Sequence, residues 1–323
     1  MQLFFRGLCA ALATFWLAAA AAQQNYPTKQ IRFIVTFPPG GSSDLIARAL
    51  APVLSDRLRQ QVLVENRPGA GGNIGMDLVA KAAPDGYTMG LGAAGALAAN
   101  VSLYPKMPYD PVKDFAPVSN VAFVPFFLIA NPSLPANNLQ ELVALASAKP
   151  GQLMLGYGGN GTAMHLSGEL FKLMAKIQLV NVPYKGSGPA AVDTVGGQLP
   201  LAIVDVASAI AQVKAGRLKA LAVTTRTRIP AAPEVPTFAE QGLPDYEATG
   251  WFGVVMPAGT PADIVGRMNA ELVAALKRKE IIDRVMAAGA EPSPSTPEEF
   301  GALIRSEIAK WGEVVKASGA KVD

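Results

Sequence analysis

From residue 31 to residue 256, short apolar runs bounded by glycine and proline alternate with segments whose apolar residues recur every three to four positions. That alternation constrains the chain more than any other feature, because strand and helix patterns in this succession fold as parallel sheets covered by helices. Strands are predicted over 31–37, 62–65, 87–92, 153–156, 179–182, 199–204, 218–224 and 251–256. Leu45, Ala49, Leu50, Val53, Leu54 and Leu58 predict a helix after the first strand, with a bend at Pro52, which has no N–H to donate. Asn138 with Glu141 has the spacing of a capping pair, while Thr260-Pro261-Ala262-Asp263 and Thr296-Pro297-Glu298-Glu299 each place a cap, a proline and an acid at a helix start. The apolar run 118–130 reads as the first passage between two domains, and the four strands between 153 and 224 as a second sheet. The expected fold is α/β, with two α/β domains and a cleft at the strand ends. Residues 26–125 and 250–323 would form domain 1, and residues 126–249 domain 2.

The first 25 residues carry a different signal. Arg6 precedes an apolar stretch from Gly7 to Ala22 that ends in alanines, and the polar Gln23-Gln24-Asn25 follows. This is the pattern of a signal peptide over residues 1–22, with cleavage expected after Ala22 and export of the remainder. The single cysteine, Cys9, lies inside that stretch, and Leu8 before it is not the small residue that a lipoprotein signal needs. The exported chain is therefore expected to hold no thiol, disulfide or lipid anchor. No second apolar run is long enough to cross a bilayer. A net charge of +3 at pH 7 argues against a nucleic-acid partner, which would require a concentrated basic face.

Composition removes most catalytic chemistry. His165 is the only histidine, no G-x-S-x-G nucleophile turn occurs, and zinc would lack a second imidazole or a thiolate. No cofactor, metal or catalytic residue is expected, and an exported hydrolase using His165 as base is the weaker alternative. Gly156-Tyr157-Gly158-Gly159-Asn160-Gly161 matches G-x-G-x-x-G between a strand and a helix, yet the stretch about 20 residues on, Leu179 to Gly186, has no acid to hold a ribose. Three glycine-rich turns, at 40–41, 69–75 and 156–161, share a position between strand and helix. A helix start offers unpaired N–H groups at the positive end of its dipole, so such turns meeting at a cleft would hold an anion. The turn Phe37-Pro38-Pro39-Gly40-Gly41-Ser42-Ser43-Asp44 lacks the lysine of a triphosphate loop, and neutral donors of this kind suit a carboxylate.

The ordered blocks "FPPGGSSD", "VENRPGAGGNIG", "KAAPDGYT", "GTAMHLSGELF", "VPYKGSGPA", "AGRLKALAVT", "VPTFAEQGLPDYE" and "WFGVVMPAGTP" resemble the Bug family, the periplasmic solute receptors also called tripartite tricarboxylate transporter substrate-binding proteins. The likeness runs over nearly the whole exported chain. It implies a periplasmic-binding-protein-like Venus flytrap, a monomer that closes over a small organic acid and delivers it to membrane transporter subunits or reports it to a sensor kinase. Carried onto this chain, the ligand-binding positions are Pro39, Gly40, Gly41, Ser42, Ser43 and Asp44 on one loop and Gly161, Thr162 and Ala163 on the facing one, with Asp205 toward the far end of the ligand. Asp205 is equally suited to cap the helix that follows it. Asp44, an acid beside an anion site, is expected to turn away and hold the loop. The stretch Val206 to Ala209, where the resemblance leads one to expect more polar residues, implies a moderately apolar distal pocket.

Overall fold

A computed structural model describes residues 26–322; the expected signal peptide lies outside the described residues. Two mixed sheets carry the fold. The first has six strands in the order β11-β4-β10-β3-β1-β2, with β1 Ile31–Val35, β2 Val62–Asn66, β3 Thr88–Ala93, β4 Phe115–Val124, β10 Gly250–Pro257 and β11 Glu291–Pro292. The second has five in the order β7-β6-β8-β5-β9, with β5 Phe126–Ala130, β6 Met154–Tyr157, β7 Val180–Pro183, β8 Leu201–Asp205 and β9 Lys219–Val223. The helices are α1 Ser42–Leu58, α2 Asn73–Ala80, α3 Asn100–Leu103, α4 Leu139–Ala148, α5 Ala163–Ala175, α6 Ser187–Val195, α7 Val206–Lys214, α8 Ala262–Leu276, α9 Lys279–Ala287 and α10 Pro297–Ser318.

The expected α/β architecture with two sheets is present, with two differences. The apolar run 118–130 is not one passage: Pro125, which has no N–H, separates β4 of the first sheet from β5 of the second. Strand β5 then inserts between β8 and β9, antiparallel to both, so the second sheet has five strands rather than four and is mixed rather than parallel. The chain returns along β10, antiparallel to β3 and β4, and Gly250 pairs with Val124. At the helix starts, Asn138 and Thr296 cap as their spacing predicts, Thr296 in a complete capping box with Glu299. Thr260 does not cap α8; its hydroxyl donates to the Pro257 carbonyl. Helix α1 runs through Pro52 unbroken.

Strand alternation explains how the cores are shared. Phe126, Leu128 and Ala130 point into the larger apolar cluster, whereas Phe127 and Ile129 point into a smaller one under α6 and α7. The larger cluster continues from the first sheet through α10, which packs on both α5 and the π turn Gly95–Ala99. Fully burying Phe300 and Ile304 of α10 contributes roughly 1.5–3 kcal/mol each, and Phe300 packs within the first half, edge-on to Trp251 and over Gly253. Among the described residues, the hydrogen bonds and ion pairs stay within one half or the other, residues 26–124 with 250–322 or residues 126–249.

Candidate functional site

Between the strand ends of the two sheets lies a cleft of about 560 Å³. Its floor is made where the chain passes between sheets, by Val124, Phe126 and Gly250 to Phe252. Lys185 and Asp205 are the ionisable side chains on its wall, one of each sign, so an anion held here is held chiefly by dipoles.

The first dipole comes from the loop between β1 and α1. Pro39, Gly40, Gly41, Ser42 and Ser43 all line the cleft. Gly40 has φ +86°, which favours glycine, and a side chain there would meet open space. Gly41 is the N-cap of α1 and offers no side chain as a cap, so the Ser42, Ser43 and Asp44 amides have no protein acceptor. Asp44 is off the cleft wall and 3% exposed. Its Oδ2 accepts from the Gly40 amide at 2.9 Å, and its Oδ1 accepts from Arg48 Nε at 2.9 Å and Asn66 Nδ2 at 2.9 Å. Burial raises its carboxyl, but the Arg48 guanidinium and the two amides outweigh burial and hold the acid below its usual range.

The second dipole comes from α5 in the other sheet. Thr162 and Ala163 line the cleft, whereas Gly161 lies behind it against Asn100 and Tyr104. The Thr162 hydroxyl donates to the Gly159 carbonyl at 2.7 Å and accepts from the His165 amide at 3.3 Å. That hydroxyl is therefore committed to the cap, and the donors left toward the cleft are the Ala163 and Met164 amides. Asp205 lines the cleft and caps α7, accepting from the Ser208 amide at 2.9 Å as its capping reading requires.

Of the three glycine-rich turns, two reach the cleft. The turn at 69–75 does not: Gly71 packs against the backbone of Asn160 and Gly161, so this loop braces the α5 start from behind. The place expected for it is taken by Ala93, the last residue of β3, with Ala94 and Gly95 after it. Sequence reasoning missed these, and also the start of α6, where Lys185 to Pro189 line the cleft. Gly186 and Gly188 there face open space, and the block "VPYKGSGPA" shows the same strand, glycine turn and helix succession as the first loop. It also missed Ala287 and Ala288 at the end of α9, which carry no chemical signal of their own.

His165 lies outside the cleft wall, 2% exposed. Its ring stacks on Tyr157 with centroids 4.8 Å apart, Nε2 is 3.8 Å from Glu169 Oε1, and Nδ1 has no partner. Burial pushes the imidazole below its ordinary value, and the Lys172 ammonium adds to this against the opposing Glu169 carboxylate. Such a histidine packs behind the cleft wall, and its surroundings favour the neutral ring.

Residues 46–320 match the model of a family described as the tripartite tricarboxylate transporter family receptor. The chain is 41% identical over 312 residues to Protein BugT of Bordetella pertussis, covering 96% of each chain. Among solved structures, R. palustris Rpa4515 with adipate is 38% identical with a TM-score of 0.85, over 92% of this chain and 100% of that one. MatC from Rhodopseudomonas palustris with bound malate is 32% identical with a TM-score of 0.82, over 90% of this chain and 100% of that one.

Proposed function

Because the chain belongs to the tripartite tricarboxylate transporter family of receptors, whose members are periplasmic solute-binding proteins, we propose that it captures a small organic carboxylate in the cleft for uptake by membrane transporter subunits. The observation that carries this reading is the meeting of two helix starts from different sheets, α1 and α5, whose Ser42, Ser43, Ala163 and Met164 amides face one cleft without protein acceptors. A carboxylate bridging them completes the hydrogen bonding of both helix ends and sits at the positive end of both dipoles.

In this reading, Pro39 to Ser43 and Thr162 to Ala163 grip the carboxylate. Asp44 and Gly161 shape the two grips from behind, and Asp205 orients the far end. The remaining wall is largely apolar, with Leu45, Val124, Phe126, Met164, Trp251 and Phe252, and suits the carbon chain of a mono- or dicarboxylate. Residues 26–125 with 250–323 and residues 126–249 act as two domains that close about the passages at Pro125 and Thr249, excluding water and strengthening the amide contacts. The adipate and malate in two relatives are consistent with this ligand class. Export through the leader at residues 1–22 places the receptor in the periplasm.

Isothermal calorimetry against adipate, malate, succinate, benzoate and citrate tests the proposal. Binding in the micromolar range to at least one is expected. Absence of heat with every acid in such a panel would overturn it.

A further inference from the structure

Besides the connecting strands, the two halves touch at two places, and the two contacts differ in kind. At one, α10 lies against α5 and the π turn, within the continuous apolar cluster. There Gly95 meets the Gly161 carbonyl, and Asn100 Oδ1, wholly buried and without a hydrogen-bond partner, lies where a Gly161 side chain would be. The other lies beside the passage between the sheets: Glu291, two residues after Gly289, pairs with Phe123, and Asp205, two residues before Ala207, pairs with Phe126. Here the turn after α9 meets the first turn of α7. A Cβ on Gly289 would stand 2.6 Å from the Ala207 Cβ and 2.8 Å from its amide nitrogen. Ala287, Ala288 and Ala207, the neighbours in this contact, line the cleft.

We propose that Gly289 is the stop against which the cleft closes, and that its missing side chain sets the closed width. The half carrying α7 turns about the passages at Pro125 and Thr249 until the first turn of α7 reaches Gly289. This rests on the receptor reading above, since closure matters only if a ligand is gripped from both walls. A Cβ at 289 holds the walls apart, so amides of α1 and α5 can no longer reach one carboxylate together.

Gly289 also serves its own helix end, with φ +75°, its amide donating to Met286 O at 2.9 Å and the Ala290 amide to Val285 O at 3.1 Å. The two demands can be separated. Asparagine tolerates a left-handed backbone but brings a Cβ. Gly319, with φ +67° after α10 and no neighbour that a Cβ would meet, is the matched control.

Gly289→Asn and Gly319→Asn are made in the full chain and compared with wild type by calorimetry with adipate and malate and by thermal unfolding without ligand. Equal ligand-free midpoints for the two variants are expected, with affinity reduced at least tenfold in Gly289→Asn alone. Wild-type affinity in Gly289→Asn overturns the proposal. So does a ligand-free midpoint well below that of Gly319→Asn, which would make the contact part of the permanent core. If wild type binds neither acid, the receptor reading fails on its own, and the stop is judged by cross-linking of Ser42→Cys to Ala163→Cys across the cleft with a short bismaleimide, with and without Gly289→Asn. Slower cross-linking with Gly289→Asn upholds the stop, and an unchanged rate overturns it.

Discussion

The Asp44 carboxylate and the Gly40 amide, four residues apart, close the β1–α1 loop on itself with a 2.9 Å hydrogen bond. The acid inside the glycine-rich turn thus spends its charge on Gly40, Arg48 and Asn66 and leaves the helix start free for another anion.

Asp44→Ala should loosen this loop. It removes the acceptor of the exposed Gly40 amide and leaves the Asn66 side chain only the Phe37 carbonyl, at a cost of about 1 kcal/mol in stability. Carboxylate affinity should fall as well, because the Ser42 and Ser43 amides lose their fixed direction. Denaturant unfolding and calorimetry on the same preparation measure both. Unchanged values in the two would mean that the loop needs no internal brace.

Gly41→Leu and Ala163→Leu place side chains where the carboxylate would sit, one on each wall. Each should weaken binding at least tenfold, about 1.4 kcal/mol or more, while the thermal midpoint stays near that of wild type. Full affinity in both variants would put the anion elsewhere in the cleft.

Acid sensitivity has one identifiable source at the edge of the first sheet. Arg32 donates to Glu65 at 2.7 and 3.0 Å, and Arg67 adds a third bond at 3.1 Å. The Arg32 hydrogen bond first, with Arg67 assisting against burial, holds the Glu65 carboxyl down from 4.5 to about 2. A depressed carboxyl stabilises the fold above its unfolded value and loses that contribution as pH falls through the folded one. Glu65→Gln should therefore lower stability at pH 7, by about 1 kcal/mol or less given the exposed partners. It should also flatten the stability curve between about pH 4.5 and 2. Chemical unfolding followed across that range decides it.

His165 works in the opposite sense. Its imidazole is held below 6.5, so the unfolded chain takes up the proton more readily and stability falls as pH drops below that value. His165→Phe keeps the stack on Tyr157, leaves Glu169 its bonds to Lys172 and Asn181, and should remove this loss. Ligand affinity should be unaffected, since the ring is off the cleft wall. A variant with impaired binding would contradict the geometry.

Features written in local pattern were legible in the sequence. The β1–α1 loop, the caps at Asn138 and Thr296, and the two-sheet α/β architecture follow from spacing and turn chemistry within a few residues. What escaped depends on partners distant in the chain. The run 118–130 is apolar on both sides of Pro125, and only the pairing of Phe126 with Asp205 and Phe127 with Val223 reveals which sheet each part joins. Ala287 and Ala288 reach the cleft because α9 docks on α1, a contact between segments more than two hundred residues apart. Thr162 stands out in the sequence as a hydroxyl for an anion site, and its role as a cap, bonded to the Gly159 carbonyl and the His165 amide, shows only in the folded turn.

Val124 and Gly250 are direct partners in the β4–β10 ladder, although 125 residues of chain, including the whole five-stranded sheet, intervene between them. The second half is thus topologically a guest: it leaves and re-enters its host at one rung of a ladder. A short turn joining those two residues would turn the rung into an ordinary hairpin, leaving the host sheet's pairing intact. What the host would lack is cover for the face of α10 that now rests on α5, so the dependence between the modules is one of shared oily surface rather than of interlaced chain.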